Sequence, residues 1–212
     1  MHPRNYISNA QFQLWEKDPK EYARIYFHDG EKRGISRAMG LGKQVADALE
    51  KDEETGDIEI DAVLAQITPK LERRDEKIFV DLSVGRGKER KFVPILIKPD
   101  RCSTDYMTFQ EVKTGTGVWT QSKVDNDDQM NFYFAGLYLK AKGEGKVMIP
   151  QGELIWAPTE KRIDEDGVER PHLVGHIKRF PTSRTFADIL RMHARISRAW
   201  REIGEAMEKE IT

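Results

Sequence analysis

Cysteine is nearly absent. With one, Cys102, in 212 residues, the chain can build no internal disulfide framework and no multi-thiolate zinc or iron–sulfur centre of its own. An excess of one charge is also missing: 35 Lys and Arg stand against 36 Asp and Glu, for a formal net charge of −1. Such a chain has no overall field to draw in a polyanion. Contact with nucleic acid would have to use local patches and a metal site. No apolar run approaches the roughly 18 residues of a transmembrane helix, and no signal-peptide pattern opens the chain. The expectation is a cytoplasmic protein with no membrane partner. Internal repeats and low-complexity tracts are absent. The five histidines (His2, His28, His172, His176 and His193) show no ligand spacing such as H-E-x-x-H, and no chemistry is assigned to them.

What remains is a polar chain, 38% hydrophobic and 33% charged, long enough for one well-cored domain over residues 1–212. Residues 1–75 read as helical. Ser8 can cap a first helix carrying Phe12, Leu14 and Trp15. Asp18-Pro19-Lys20-Glu21 reads as a fresh start, with Asp as N-cap and Pro at the first helical position. Gly30, Gly34, Gly40 and Gly42 punctuate the stretch before a helix with Val45, Ala48 and Leu49 that ends near Lys51. The acidic run 51–57 reads as a solvated loop, followed by a short helix near 61–71.

Residues 76–142 hold two apolar strand-length runs, 78–84 and 92–97, around the basic hairpin loop 85–90. Pro94 inside the second run points to an edge or a bulge. Residues 107–112 read as a further strand, paired with 92–97 through a turn at 103–106. A helix over 125–139, capped by acidic and amide residues and apolar nearly all round, should be buried against the sheet. In 143–212, strands are expected from Val147 through Trp156 and over 172–177. A closing helix should begin near 183–185, its core stripe being Phe186, Ile189, Leu190, Ile196, Trp200, Ile203 and Met207. Arg191, Arg195, Arg198 and Arg201 fall on its solvated or ion-paired faces. The layout is α/β: a mixed central sheet flanked by helices.

The chemistry-bearing stretch is Pro99-Asp100 followed by Glu111-Val112-Lys113. Alternate strand residues share a face, so Glu111 and Lys113 point one way and Val112 the other. A hairpin can bring Asp100 to that pair. Two carboxylates offer hard oxygen ligands to Mg²⁺, and an adjacent lysine could orient a water or offset charge on phosphorus. Taken alone, D-x(10)-E-x-K is common and equally describes a surface strand with a Glu–Lys pair. Gln129 and Tyr133, four apart, stack on one helix face. Alone they read as a capping-region glutamine and a core tyrosine.

Taken together and in order, these motifs resemble the PD-(D/E)XK nuclease superfamily, in its RecB-like and phage-exonuclease branch, over residues 7 to about 140. Ile7 to Phe12 with Asp18-Pro19 and Tyr22 is similar to the amino-terminal helix pair. Gly42-Lys43-Gln44-Val45-Ala46 stands in the place of G-x-x-x-H. Pro99-Asp100 and Glu111-Val112-Lys113 match the signature, and Gln129 to Tyr133 matches Q-x-x-x-Y. Trp119 and the closing 180–184 segment also resemble phage members. The resemblance implies a restriction-endonuclease-like core and a Mg²⁺- or Mn²⁺-dependent deoxyribonuclease, an exonuclease rather than a sequence-reading endonuclease, in phage or bacterial recombination or repair. Asp100, Glu111 and the Val112 carbonyl would hold metal. Lys113 would position or activate the attacking water, and Gln129 and Tyr133 would hold the lysine or a phosphate. The partner would be DNA. A homo-oligomer, or a recombination partner such as a single-strand annealing protein, also fits such a protein. Two departures stand out. Ala46 replaces the family histidine, so Glu50, one helical turn on, becomes a candidate for that ligand. Asp18 replaces the cysteine of iron–sulfur relatives, which with the lone Cys102 argues against such a cluster. The alternative is a nuclease fold kept as a non-catalytic DNA-binding or recombination-accessory module; processing of RNA at the same site is a weaker third.

Overall fold

The computed structural model describes residues 2–28, 30 and 37–211; Gly34 lies outside them. Two strand residues, β1 (Ile7–Ser8), lead straight into α1 (Asn9–Lys17). Ser8 and Gln11 form a reciprocal capping box: the Ser8 hydroxyl accepts the Gln11 amide, and the Gln11 side chain accepts the Ser8 amide at 2.9 Å. Asp18 then caps α2 (Pro19–Tyr26) through the Glu21 amide. Helix α3 (Arg37–Lys51) contains Gly40 and Gly42 rather than starting after them. Gly42 is there because α3 crosses close to a strand: a Cβ on it would meet the Thr114 hydroxyl at 2.8 Å.

Helix α4 (Ile58–Gln66) starts three residues earlier than expected, because Asp57 accepts the Glu59 and Ile60 amides. It also stops short of Leu71. The residue before a proline is pushed out of the helical region, and Thr68-Pro69 follows directly.

The strands form two sheets. In one, β3 (Ile78–Val84) pairs antiparallel with β4 (Lys91–Ile97), and β1 runs parallel on the far side of β4. The β3–β4 register is unbroken, so Pro94 makes no bulge. Its strand is flanked by β1 only at Ile95 and Leu96, which leaves Pro94 with an open edge. The other sheet orders β2 (Arg73–Arg74), β5 (Arg101–Cys102), β6 (Thr108–Gly115), β7 (Gln151–Ile163) and β8 (Glu169–Leu173), with β9 (Lys178–Thr182) also on β7.

Several strand expectations are corrected here. The partner of β6 across the 103–106 turn is the two-residue β5, not β4. Pro99 has no amide to continue a ladder, and the chain changes sheets there. Residues 147–149 are not strand. Val147 and Met148 are exposed, since the chain is still leaving the preceding helix: the Lys146 amide bonds back to the Ala141 carbonyl. The run 172–177 divides into the end of β8 and a turn with Gly175 at φ +81°. Strand β7 therefore forks, its first half paired with β9 and its second with β8.

Helix α5 (Gln121–Asp125) precedes α6 (Asp128–Gly143), which is capped by Asp127 and buried along most of its length. The closing α7 (Phe186–Ile211) buries Ile189, Met192, Ile196, Ala199 and Ile203, whereas Phe186 and Leu190 are each 50% exposed. Its arginines are paired: Arg195 with Glu16 and Asp128, Arg191 with Asp188.

Alternate residues of β7 face two different cores. Leu154 and Trp156 join α1, α6, α7 and the β3–β4 sheet; Ile155 and Ala157 join Val45, Leu49, Val63 and Leu64 of α3 and α4. The β6–β7 pair is thus the middle layer of an α/β/α stack. Among the described residues no helix is long and apolar enough to cross a membrane.

Candidate active site

The site sits where β6 outruns its short neighbour. On the β6 side, strand β5 reaches only Phe109 and Gln110, so from Glu111 onward that edge of β6 has no strand beside it among the described residues. The Asp100 carboxylate takes the vacant position and accepts the Val112 amide at 2.7 Å. Both main-chain groups of an extended residue point to one edge, so the Val112 carbonyl shares this edge.

Glu111 and Lys113 lie on one face, as alternation requires. Lys113 Nζ donates to Glu111 Oε1 at 2.6 Å and to Gln129 Oε1 at 2.7 Å. The Gln129 amide donates to Glu111 Oε1 and to the Tyr133 hydroxyl, and that hydroxyl donates to the Lys98 carbonyl at 2.9 Å. The first turns of α6 therefore hold one glutamate oxygen and the lysine in fixed positions. Glu111 Oε2 is left buried with no hydrogen-bond partner among the described residues. A buried carboxylate oxygen without a donor is costly, and a cation is one group that would satisfy it.

The electrostatics agree. Burial and the neighbouring Glu111 carboxylate push the Asp100 pKa up to about 8, against the opposing pull of the Val112 amide and Lys113. Burial acts to lower the Lys113 pKa, but Glu111 and then Asp100 outweigh it, and the net shift is upward. The amine is an ammonium and suits a charge-balancing role better than that of a base. Burial followed by Glu111 raises Tyr133 well above the ordinary phenol value, so it remains a neutral hydroxyl.

Asp100, Glu111, Lys113, Gln129 and Tyr133 therefore converge, with the Val112 carbonyl on the same edge. Glu50 is not tied to them: it is exposed on α3, and among the described residues no hydrogen bond or ion pair joins its carboxylate to Asp100 or Glu111. No group of three or more His, Cys, Asp or Glu with metal-binding geometry occurs among those residues. The donors that fit a hard divalent ion are two carboxylates and one carbonyl, a set that leaves room for the waters Mg²⁺ keeps.

Three supporting residues carried no signal in the sequence. The Asp75 amide donates to the Asp100 carbonyl at 3.0 Å, and its carboxylate pairs with Lys98. Arg101 is buried and donates to the Leu49 and Leu71 carbonyls, pinning the end of α3 beside the site. Asp75 lies 25 residues before Asp100 in the sequence, and the fold brings the two together.

Comparison with known proteins finds no matching family model and no curated protein that matches. Solved structures do resemble it. A phage-related exonuclease from Haemophilus somnus 129PT superposes with a TM-score of 0.58 at 11% identity, over 92% of this chain and 83% of that one. A candidate exonuclease from Eubacterium rectale gives 0.57 at 10% identity, over 98% and 83%. The chain has the α/β fold of these proteins, with amino-terminal helices, mixed sheets and a long closing helix.

Proposed function

We propose that this chain is a metal-dependent deoxyribonuclease of the PD-(D/E)XK type, similar to the RecB-like and phage branch, and an exonuclease acting on DNA. The supporting observation is the orphaned Glu111 oxygen beside a carboxyl group held at the same strand edge. Asp100, Glu111 and the Val112 carbonyl would hold Mg²⁺ or Mn²⁺. When bound, such an ion polarises a phosphoryl oxygen and lowers the pKa of a bound water. The protein's own part is positional. Lys113, held between Glu111 and Gln129, orients the attacking water and offsets negative charge developing on the phosphate. Gln129 fixes the lysine, and Tyr133 fixes Gln129. Glu50 would join the metal only if its side chain swung toward the sheet edge.

The test is digestion of linear DNA with Mg²⁺, Mn²⁺ or EDTA. Metal-dependent release of nucleotides, lost in Asp100→Asn and Glu111→Gln, is the expected result. Unchanged digestion by either variant would end this reading. The absence of a third carboxylate or histidine ligand among the described residues favours a second one, a non-catalytic DNA-binding module. That reading gains if DNA binds and no metal yields products; RNA offered in the same assay separates the two nucleic acids.

A further inference from the structure

At the far end of β4 and α6 from the catalytic cluster lies a groove of about 1040 Å³ between the β3–β4 hairpin and α7. Gln129 stands in the first turn of α6 and Leu139, on the groove wall, ten residues on, about 15 Å along the axis. Apolar side chains make the floor and walls, among them Leu82, Val84, Phe92, Leu139, Phe186 and Leu190. Phe92 is 56% exposed and Phe186 and Leu190 are 50% exposed. The last two lie on α7 beside the stripe that enters the core, and each stays half open to solvent.

The charge along this groove is as uneven as its polarity. Five cations border it (Arg90, Lys91, Lys142, Arg198 and Arg201) against one carboxylate, Asp81, on a chain whose total is −1. Lys91 and Lys142 have no ion-pair partner among the described residues, and Arg198 and Arg201 reach theirs only at 3.7 to 4.0 Å. We infer that this groove docks an acidic peptide segment of a partner protein, with apolar side chains seated between β4 and α7 and carboxylates on the basic rim. Charge complementarity carries the choice of occupant. A second copy docking face to face would bring its own cations to the same rim. Single-stranded nucleic acid needs open aromatic faces to stack on, but Arg90 already lies over Phe92, and Phe186 packs edge-on to Tyr138.

Random 12-residue peptide display against the full chain is the test. The selected sequences should be rich in Asp and Glu interspersed with Phe, Leu or Trp. Their binding, followed by fluorescence anisotropy, should weaken at least tenfold in Lys142→Glu and in Leu190→Asp, and should fall with added salt. Both positions are exposed and outside the catalytic cluster, so melting temperature and DNA digestion should be unchanged. Peptides without acidic bias, or binding indifferent to both substitutions, would overturn the inference. So would oligothymidylate binding, or self-association in sedimentation, that disappears in the same two variants.

Discussion

Glu111 spends one oxygen on Lys113 and Gln129 and keeps the other bare, and much follows from that division of labour. Replacing it with glutamine keeps the shape but removes the charge a cation needs. A loss of about a thousandfold or more in turnover is expected, roughly 4 kcal/mol of transition-state stabilisation, with an unchanged circular dichroism spectrum. Gln129→Ala should cost less, about tenfold to a hundredfold in kcat, since the lysine keeps Glu111 as a partner; single-turnover kinetics would separate this from weaker DNA binding. Asp100 supplies a pH signature. Its pKa is raised on folding, so between the ordinary carboxyl value near 4 and about 8 the folded chain keeps a proton that the unfolded chain has lost. Stability of the metal-free protein must then fall as pH rises through that window. In EDTA the melting temperature should drop by several degrees from pH 5 to 8.5, and Asp100→Asn should flatten the decline. A slope unchanged in that variant would assign the effect to another group.

Elements carry these residues, and they were legible in the sequence to different degrees. Caps with a local cause were readable: Ser8, Asp18 and the acidic start of α6 act where their side chains suggest. So was the alternation placing Glu111 beside Lys113. Pairing is readable at the 85–90 hairpin, where β3 meets β4, but not at the near edge of β6, because a two-residue strand such as β5 leaves no hydrophobic pattern. Phe186 and Leu190 share the α7 stripe by spacing yet stay half exposed, because helical spacing cannot say how wide a face the neighbours cover. Close packing between elements is equally invisible until seen. Gly136 of α6 faces Ile97 of β4 so tightly that an added Cβ would come within 2.5 Å of the Ile97 side chain. Gly136→Ala should destabilise by about 1–3 kcal/mol through overpacking and lower activity, since β4 leads directly to Asp100. Urea titration with activity measured on the same samples checks both effects.

Taken whole, the molecule has a larger core on the α6–α7 side of the middle sheet and a smaller one under α3 and α4. Local opening costs less where fewer apolar groups are buried. Hydrogen exchange should therefore proceed faster in α3 and α4 than in α6. Equal protection in the three helices would show that the layers unfold as one unit. Opening of the smaller layer would also free the end of α3 from Arg101, which adjoins Asp100, so exchange there should slow when a divalent ion is added.

The turn between β5 and β6 has a consequence for finding related chains. Both acidic positions are fixed at the near end of this hairpin, Asp100 by its bond to the Val112 amide and Glu111 by the pairing just before it. The tip at Thr104 and Asp105 is exposed, so lengthening it would change the sequence interval between the acids and leave their separation in space alone. A text pattern with a fixed gap would overlook such chains, whereas a search that scores the two strand ends separately would recover them.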